Sequence, residues 1–145
     1  MNDKLKKITK DIAVFMAMIL VVAAYVAPAK VKASDSYDAG LAFDYNQDID
    51  YTPYAEKNTY SSVGMGCTGS DTDGAYYYAR VFGYNNDERF DYSHGYEYYF
   101  EPGTYNEMLN WVKENGSSKA CVRGEGHGID SYYGTTFTGY WYPDL

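Results

Sequence analysis

Between residues 75 and 84 the side chains alternate with a period of two: Tyr77, Ala79 and Val81 fall on one face, and Tyr76, Tyr78, Arg80 and Phe82 on the other. Successive strand residues point to opposite sides of a sheet, so a run that is apolar or aromatic on both faces predicts a central strand with contacts on either side. The surrounding runs have the pattern of partners for it. Residues 39–45 put Leu41, Phe43 and Tyr45 on one face, and residues 59–68 put Val63, Met65 and Cys67 on one face. Residues 90–100, 119–124 and 132–142 read as further strands.

Turn chemistry separates these runs. Residues 46–58 form a polar, Pro-containing loop, residues 69–74 (Gly-Ser-Asp-Thr-Asp-Gly) a turn, and Asn85-Asn86-Asp87 can take positive φ and reverse the chain. His94-Gly95 reads as a bulge within its strand. One segment breaks the β pattern. Glu101-Pro102-Gly103 has the residue order of a type II turn, and Thr104 followed by Glu107 matches a capping box. A helix is predicted there, with Tyr105, Met108, Leu109 and Val112 on one face, Trp111 beside it, and Asn115-Gly116 as its stop. The expected fold is mainly β: a small antiparallel β-sandwich or open barrel with one short helix over a face or an end.

The N-terminus reads as a separate element. Lys4, Lys6, Lys7 and Lys10 precede an apolar run of 15 residues, 12–26, followed by small residues. A membrane span needs about 20 residues, so residues 1–33 are predicted to be a cleaved signal peptide. A cut between Ala33 and Ser34 is favoured over one after Ala27-Pro28-Ala29; an uncleaved N-terminal anchor is the alternative. The first cysteine is Cys67, too far along for a lipid-anchored N-terminus. Residues 34–145 are then a single secreted β-rich domain, extracellular and without a stable membrane anchor.

Removing residues 1–33 takes six of the 12 Lys and Arg and two of the 20 Asp and Glu, leaving 6 minus 18, a net charge of −12 on 112 residues. Such an acidic domain is repelled by nucleic acid, anionic lipid and wall phosphate polymers. Leu and Ile are scarce in it (Leu41, Ile49, Leu109, Ile129, Leu145), whereas 18 of the 19 tyrosines remain. Aromatic rings must fill much of the core, and many Tyr hydroxyls need water or a partner, which predicts half-exposed rings on sheet faces.

Cys67 and Cys121, an even pair in an exported chain, predict one intramolecular disulfide. Closing that loop is worth about 4 kcal/mol in the chain-entropy model. A Cys nucleophile served by His94 or His127 is the competing reading.

Asp44, Asn46, Asp48 and Asp50 recur at every second residue, as oxygen ligands do in calcium loops, so calcium is the one cofactor to consider. Ile49 stands where the sharp turn wants Gly, and Glu56 falls one place too late. A solvated acidic loop is the alternative. Glu125 and His127 on a glycine-rich loop, and Asp91 with His94, offer acid–imidazole pairs without a metal-ligand spacing. Glu97, Glu101 and Asp91 offer carboxylates at strand spacing.

The segment Thr59-Tyr60-Ser61-Ser62, the central aromatic strand, the late strand 120–124 and the ending Thr138-Gly139-Tyr140-Trp141-Tyr142-Pro143-Asp144 resemble a family of small secreted Gram-positive bacterial proteins that carries a domain-of-unknown-function label. Its most specific part is Gly-Tyr-Trp-x-Pro-Asp. The resemblance implies export and a compact β-domain and supplies no catalytic residues. The expected function is a secreted, non-enzymatic domain that binds an extracellular glycan or protein partner, with carbohydrate first, because displayed Tyr and Trp rings stack on the apolar faces of sugars. The alternatives are a bacteriocin-like antagonistic protein and a small hydrolase built on the His127 loop.

Overall fold

The computed structural model describes residues 35–44, 46–129 and 132–145. The signal-peptide and cleavage-site readings, and Tyr45, lie outside the described residues. Among the described residues eleven strands follow in order: β1 (Tyr37–Asp38), β2 (Leu41–Phe43), β3 (Ile49–Tyr51), β4 (Ala55–Glu56), β5 (Val63–Ser70), β6 (Tyr76–Asn85), β7 (Glu88–Asp91), β8 (Tyr98–Phe100), β9 (Tyr105–Met108), β10 (Lys119–His127) and β11 (Thr135–Tyr142). They pair antiparallel in two sheets. One runs β1-β11-β5-β9 with β2 also on β11; the other runs β3-β10-β6-β7 with β4 also on β10 and β8 also on β6.

The β6 alternation has the consequence expected of it. Tyr77, Ala79 and Val81 point into the core, and β6 is hydrogen-bonded along both edges. The five-stranded sheet meets them with Leu41, Phe43, Val63, Met65, Phe137 and Trp141. Rings hold the centre: Tyr77 stacks on Phe100 at 5.1 Å, and Phe137 meets Tyr77 edge-on at 4.8 Å and Phe43 at 5.8 Å. Each such pair adds about 0.5–1.5 kcal/mol beyond area burial, which offsets the shortage of aliphatics. Among the described tyrosines only Tyr77 is sealed in this core; the others are half-exposed or exposed on faces and loops, as anticipated.

Gly124 and Gly126 lie within β10 and not in a loop. A Cβ at Gly124 would sit 2.7 Å from Leu41, and one at Gly126 would sit 2.7 Å from Phe43. The bare backbone is what lets β2 lie over β10. His127 and Glu125 are therefore strand residues rather than residues of a mobile loop. Likewise, the segment expected as the loop 46–58 contains two short strands, β3 and β4, that pair with β10. Asn86 and Asp87 take φ of 49° and 64° and make the β6–β7 turn as predicted. The 90–100 run is two strands, parted by a turn in which His94 and Gly95 have positive φ.

The helix expected from residue 104 does not form; there is no helix among the described residues. Tyr105–Met108 pairs with Val63–Gly66 as an edge strand, and the Thr104 hydroxyl bonds Glu101 in the preceding turn instead of capping a helix. Only its end survives: Asn115 N–H reaches the Trp111 carbonyl and Gly116 has φ of 78°, a single closed turn.

The predicted disulfide is absent as well, and both cysteines are free and buried. Strand parity explains it. Cys67 points into the core with Val63 and Met65. On β10 it is Val122, opposite Val81, that points inward, so Cys121, opposite Phe82, lies on the outer face of the other sheet.

Two of the segments that carry the family resemblance, 59–62 and 138–144, meet at one place. Lys57, fully buried, donates to the carbonyls of Ser61 (2.7 Å) and Pro143 (2.6 Å) and to the Asp144 carboxylate (3.0 Å). Asp144 also accepts from the backbone of Asn58 and Thr59 and from the Thr59 hydroxyl. With the Ser61 hydroxyl as a longer fourth acceptor at 3.4 Å, the three ammonium protons are satisfied and the buried ion pair is saturated, the form in which a buried charge is tolerated. Gly139 sits at a β-bulge where a Cβ would lie 2.3 Å from the Gly66 carbonyl, and Trp141 is fully buried. The motif is thus an architectural latch for the end of the chain.

Candidate functional site

The outer face of the six-stranded sheet gathers rings and charges in successive rungs. Register places His127 beside Tyr76, Glu125 beside Tyr78, Arg123 beside Arg80 and Cys121 beside Phe82 across β10 and β6. On the other edge Tyr99 lies beside Tyr78, Asp91 beside Phe82 and Arg89 beside Tyr84.

At one end the rings form a cluster. His127 stacks on Tyr76 at 5.3 Å and 9° and meets Tyr78 edge-on at 5.4 Å. Tyr99 lies 5.2 Å from Tyr76 and 5.8 Å from Tyr78. The Tyr99 hydroxyl donates to Glu101 at 2.9 Å, and that bond, with some burial, raises its pKa. Tyr76, Tyr78 and His127 are half-buried and Tyr99 is exposed, so ring area faces solvent.

Arg80 holds the centre. Its Nε and Nη2 donate to Glu97 at 2.8 and 2.5 Å, and its Nη1 reaches Asp91 at 3.4 Å. Asp91 also accepts from the Ser93 hydroxyl and backbone N–H; burial pushes its carboxyl up, but these bonds and Arg80 outweigh that and hold it below the ordinary range. Arg123 pairs with Glu125 at 3.0 Å. At the far end Arg89 lies over Tyr51 at 4.2 Å, and Lys119 lies over Tyr54 at 4.6 Å.

The acid–imidazole pairs read from the sequence come out otherwise. Glu125 serves Arg123, and His127 stacks on Tyr76. Asp91 serves Arg80 and Ser93, while His94 stacks on Trp111 at 4.1 Å. Neither thiol is tuned for nucleophilic work: burial raises Cys67, and it pushes Cys121 up to about 11 despite Arg89 nearby.

Two of the four calcium candidates, Asp44 and Asp50, are engaged with backbone N–H groups. Asp44 accepts from the Asn46 N–H at 2.8 Å within a turn closed onto Gln47, and Asp50 accepts from the N–H groups of Ala42 and Tyr51, both at 2.8 Å. Asp44 and Asp50 border a shallow cleft of about 390 Å³. Among the described residues no group of three or more His, Cys, Asp or Glu side chains is placed to hold a metal ion.

The sequence reading missed Arg80 as the hub, although it stands as the lone charge in a strand otherwise apolar or aromatic. It also missed the Lys57–Asp144 latch, for which residues 87 apart give no local signal. The other sheet displays Tyr105 and Tyr140 on its outside. They lie on glycine backbone, with the Tyr105 hydroxyl 2.6 Å from where a Gly64 Cβ would be and the Tyr140 ring 2.6 Å from a Gly66 Cβ. Those rings cover the sheet, whereas the His127 cluster stands among charged groups.

Fold and site together define an antiparallel β-domain with an aromatic and ionic sheet face. The chain belongs to the family described as a protein of unknown function (DUF2712), whose model matches residues 28–145. No curated protein and no solved structure matches it. No helix among the described residues is long and apolar enough to cross a membrane.

Proposed function

We propose that this is a secreted, non-enzymatic domain of β-sandwich type that binds carbohydrate on the outer face of its six-stranded sheet. The observation that carries the reading is the cluster of Tyr76, Tyr78, Tyr99 and His127, whose rings meet at 5.2 to 6.0 Å and face solvent. A ring platform stacks on the apolar face of a sugar, and the polar groups around it take up hydroxyls, the usual division of labour in a binding site. Glu101, Glu97 and Arg80 border the platform with fixed acceptors and donors.

The test is depletion of the purified protein from solution by washed bacterial cell walls and insoluble polysaccharides, with calcium and with chelator. Saturable, salt-resistant depletion that falls at least fivefold in Tyr78→Ala is expected. Depletion unchanged in that variant would move the site elsewhere. No depletion, with growth inhibition of related bacteria by the same protein, would replace the proposal with the antagonistic role.

A further inference from the structure

Resting on the reading that this face binds glycan, we propose that its ligand is an uncharged polysaccharide, and that Glu97 sets the selectivity by neutralising Arg80. Arg80 and Arg123 stand directly opposite each other on β6 and β10. Two adjacent guanidinium groups, left to themselves, would form a strong site for sulfate, phosphate or carboxylate groups, and they would repel each other across the rung. Neither is left to itself. Glu97 takes the Nε and Nη2 protons of Arg80, Asp91 lies at its Nη1, and Glu125 takes Arg123. At the far end Arg89 and Lys119 are committed to the faces of Tyr51 and Tyr54.

The acids are committed in turn. Glu97 and Asp91 serve Arg80, Glu125 serves Arg123, and Glu101 accepts the Tyr99 hydroxyl. Counting the groups next to the ring cluster, four carboxylates stand with two guanidiniums, so the field over the rings repels anions. What the face offers a ligand is ring area and the remaining lone pairs and N–H groups of fixed ion pairs. Hydroxyl-rich, uncharged rings fit that offer. Uronate-, sulfate- and phosphate-bearing chains do not.

The test compares retention of the purified protein on insoluble cellulose and chitin with retention on immobilised polygalacturonate and heparin at low ionic strength. The wild-type protein is expected to favour the neutral supports. Glu97→Gln should raise the ratio of anionic to neutral retention severalfold, and added salt should abolish the rise, because exposed charges are screened beyond about 10 Å at 0.1 M. Glu97→Asp should restore the low ratio, and Arg80→Gln combined with Glu97→Gln should return it to the wild-type value. Asp91→Asn gives a second, smaller rise should Glu97→Gln fold poorly. A wild-type protein that prefers the anionic supports, or a ratio that Glu97→Gln and Asp91→Asn leave unchanged, overturns the selectivity argument while leaving glycan binding intact. Retention on none of the supports overturns the binding proposal with it.

Discussion

Replacing Asp144 by Ala should cost more than any surface substitution in this domain. The change strips Lys57, which is fully buried, of its carboxylate partner at 3.0 Å and leaves it the carbonyls of Ser61 and Pro143 and the Ser61 hydroxyl. It also removes the acceptor of the Asn58 and Thr59 N–H groups. Removing one partner of a buried ion pair costs about 3–5 kcal/mol, against a total of about 5–15 kcal/mol for a domain. The melting temperature should fall by about 10–20 °C. Urea titration followed by Trp fluorescence measures the loss directly. Lys57→Met together with Asp144→Leu should recover a large part of it, since the cost lies in the orphaned charge.

The pH dependence has a definite sign. Burial pushes Asp144 up, but its hydrogen bonds from Asn58, Thr59 and Lys57 outweigh that and hold it below the ordinary 3.8. A carboxylate held low stabilises the fold above its unfolded value and loses that contribution as pH falls through its folded value. The gap between wild type and Asp144→Ala should be constant near neutrality and narrow below about pH 4. Burial pulls Lys57 down from its ordinary value, and the hydrogen bond and charge of Asp144 oppose that shift. A loss below about 1 kcal/mol at pH 7 would refute the latch.

Two further substitutions or reagents probe the same architecture. Gly139→Ala drives a Cβ to 2.3 Å from the Gly66 carbonyl at the bulge, so the two strands must part; a cost of about 1–3 kcal/mol is expected in the same urea assay. Both thiols should resist a thiol reagent in the native protein and react together once it is unfolded, as two buried, free cysteines require. A native mass two hydrogens short, assigned to a bond between Cys67 and Cys121, would contradict their opposite placement.

Much of the sheet plan could be read from parity alone. The β6 alternation and the Asn86–Asp87 reversal are local, and they appear where the pattern puts them. The failure at residues 104–112 is also physical. Met108 and Val112 are buried while Tyr105 and Leu109 are exposed, so the helical spacing was a coincidence of two strand-end residues, one loop residue and one turn residue. The unpaired edge of β5, more than 35 residues earlier in the chain, outweighed the local capping signal, as tertiary context commonly does. Cysteine pairing failed on one bit of information. Ala120, Cys121 and Val122 are all apolar, and nothing local tells which of them faces the core.

The site was legible in its parts and not in its assembly. Glu97, Glu101, Glu125 and His127 could each be named from the chain, yet their partners are set by register across β6, β8 and β10. The same register turned expected acid–imidazole pairs into an Arg80 hub and a ring stack. The Gly-Tyr-Trp-x-Pro-Asp ending was visible as a motif, while its role required the fold that brings Thr59 and Lys57 to Asp144.

The most direct measurement is nuclear magnetic resonance of the purified protein titrated with chitohexaose and cellohexaose, following the Tyr ring and His127 imidazole signals. The account predicts saturable shifts concentrated on Tyr76, Tyr78, Tyr99 and His127, with Tyr105 and Tyr140 unmoved. Saturable shifts centred on Tyr105 and Tyr140, or none anywhere with either oligosaccharide, would contradict it.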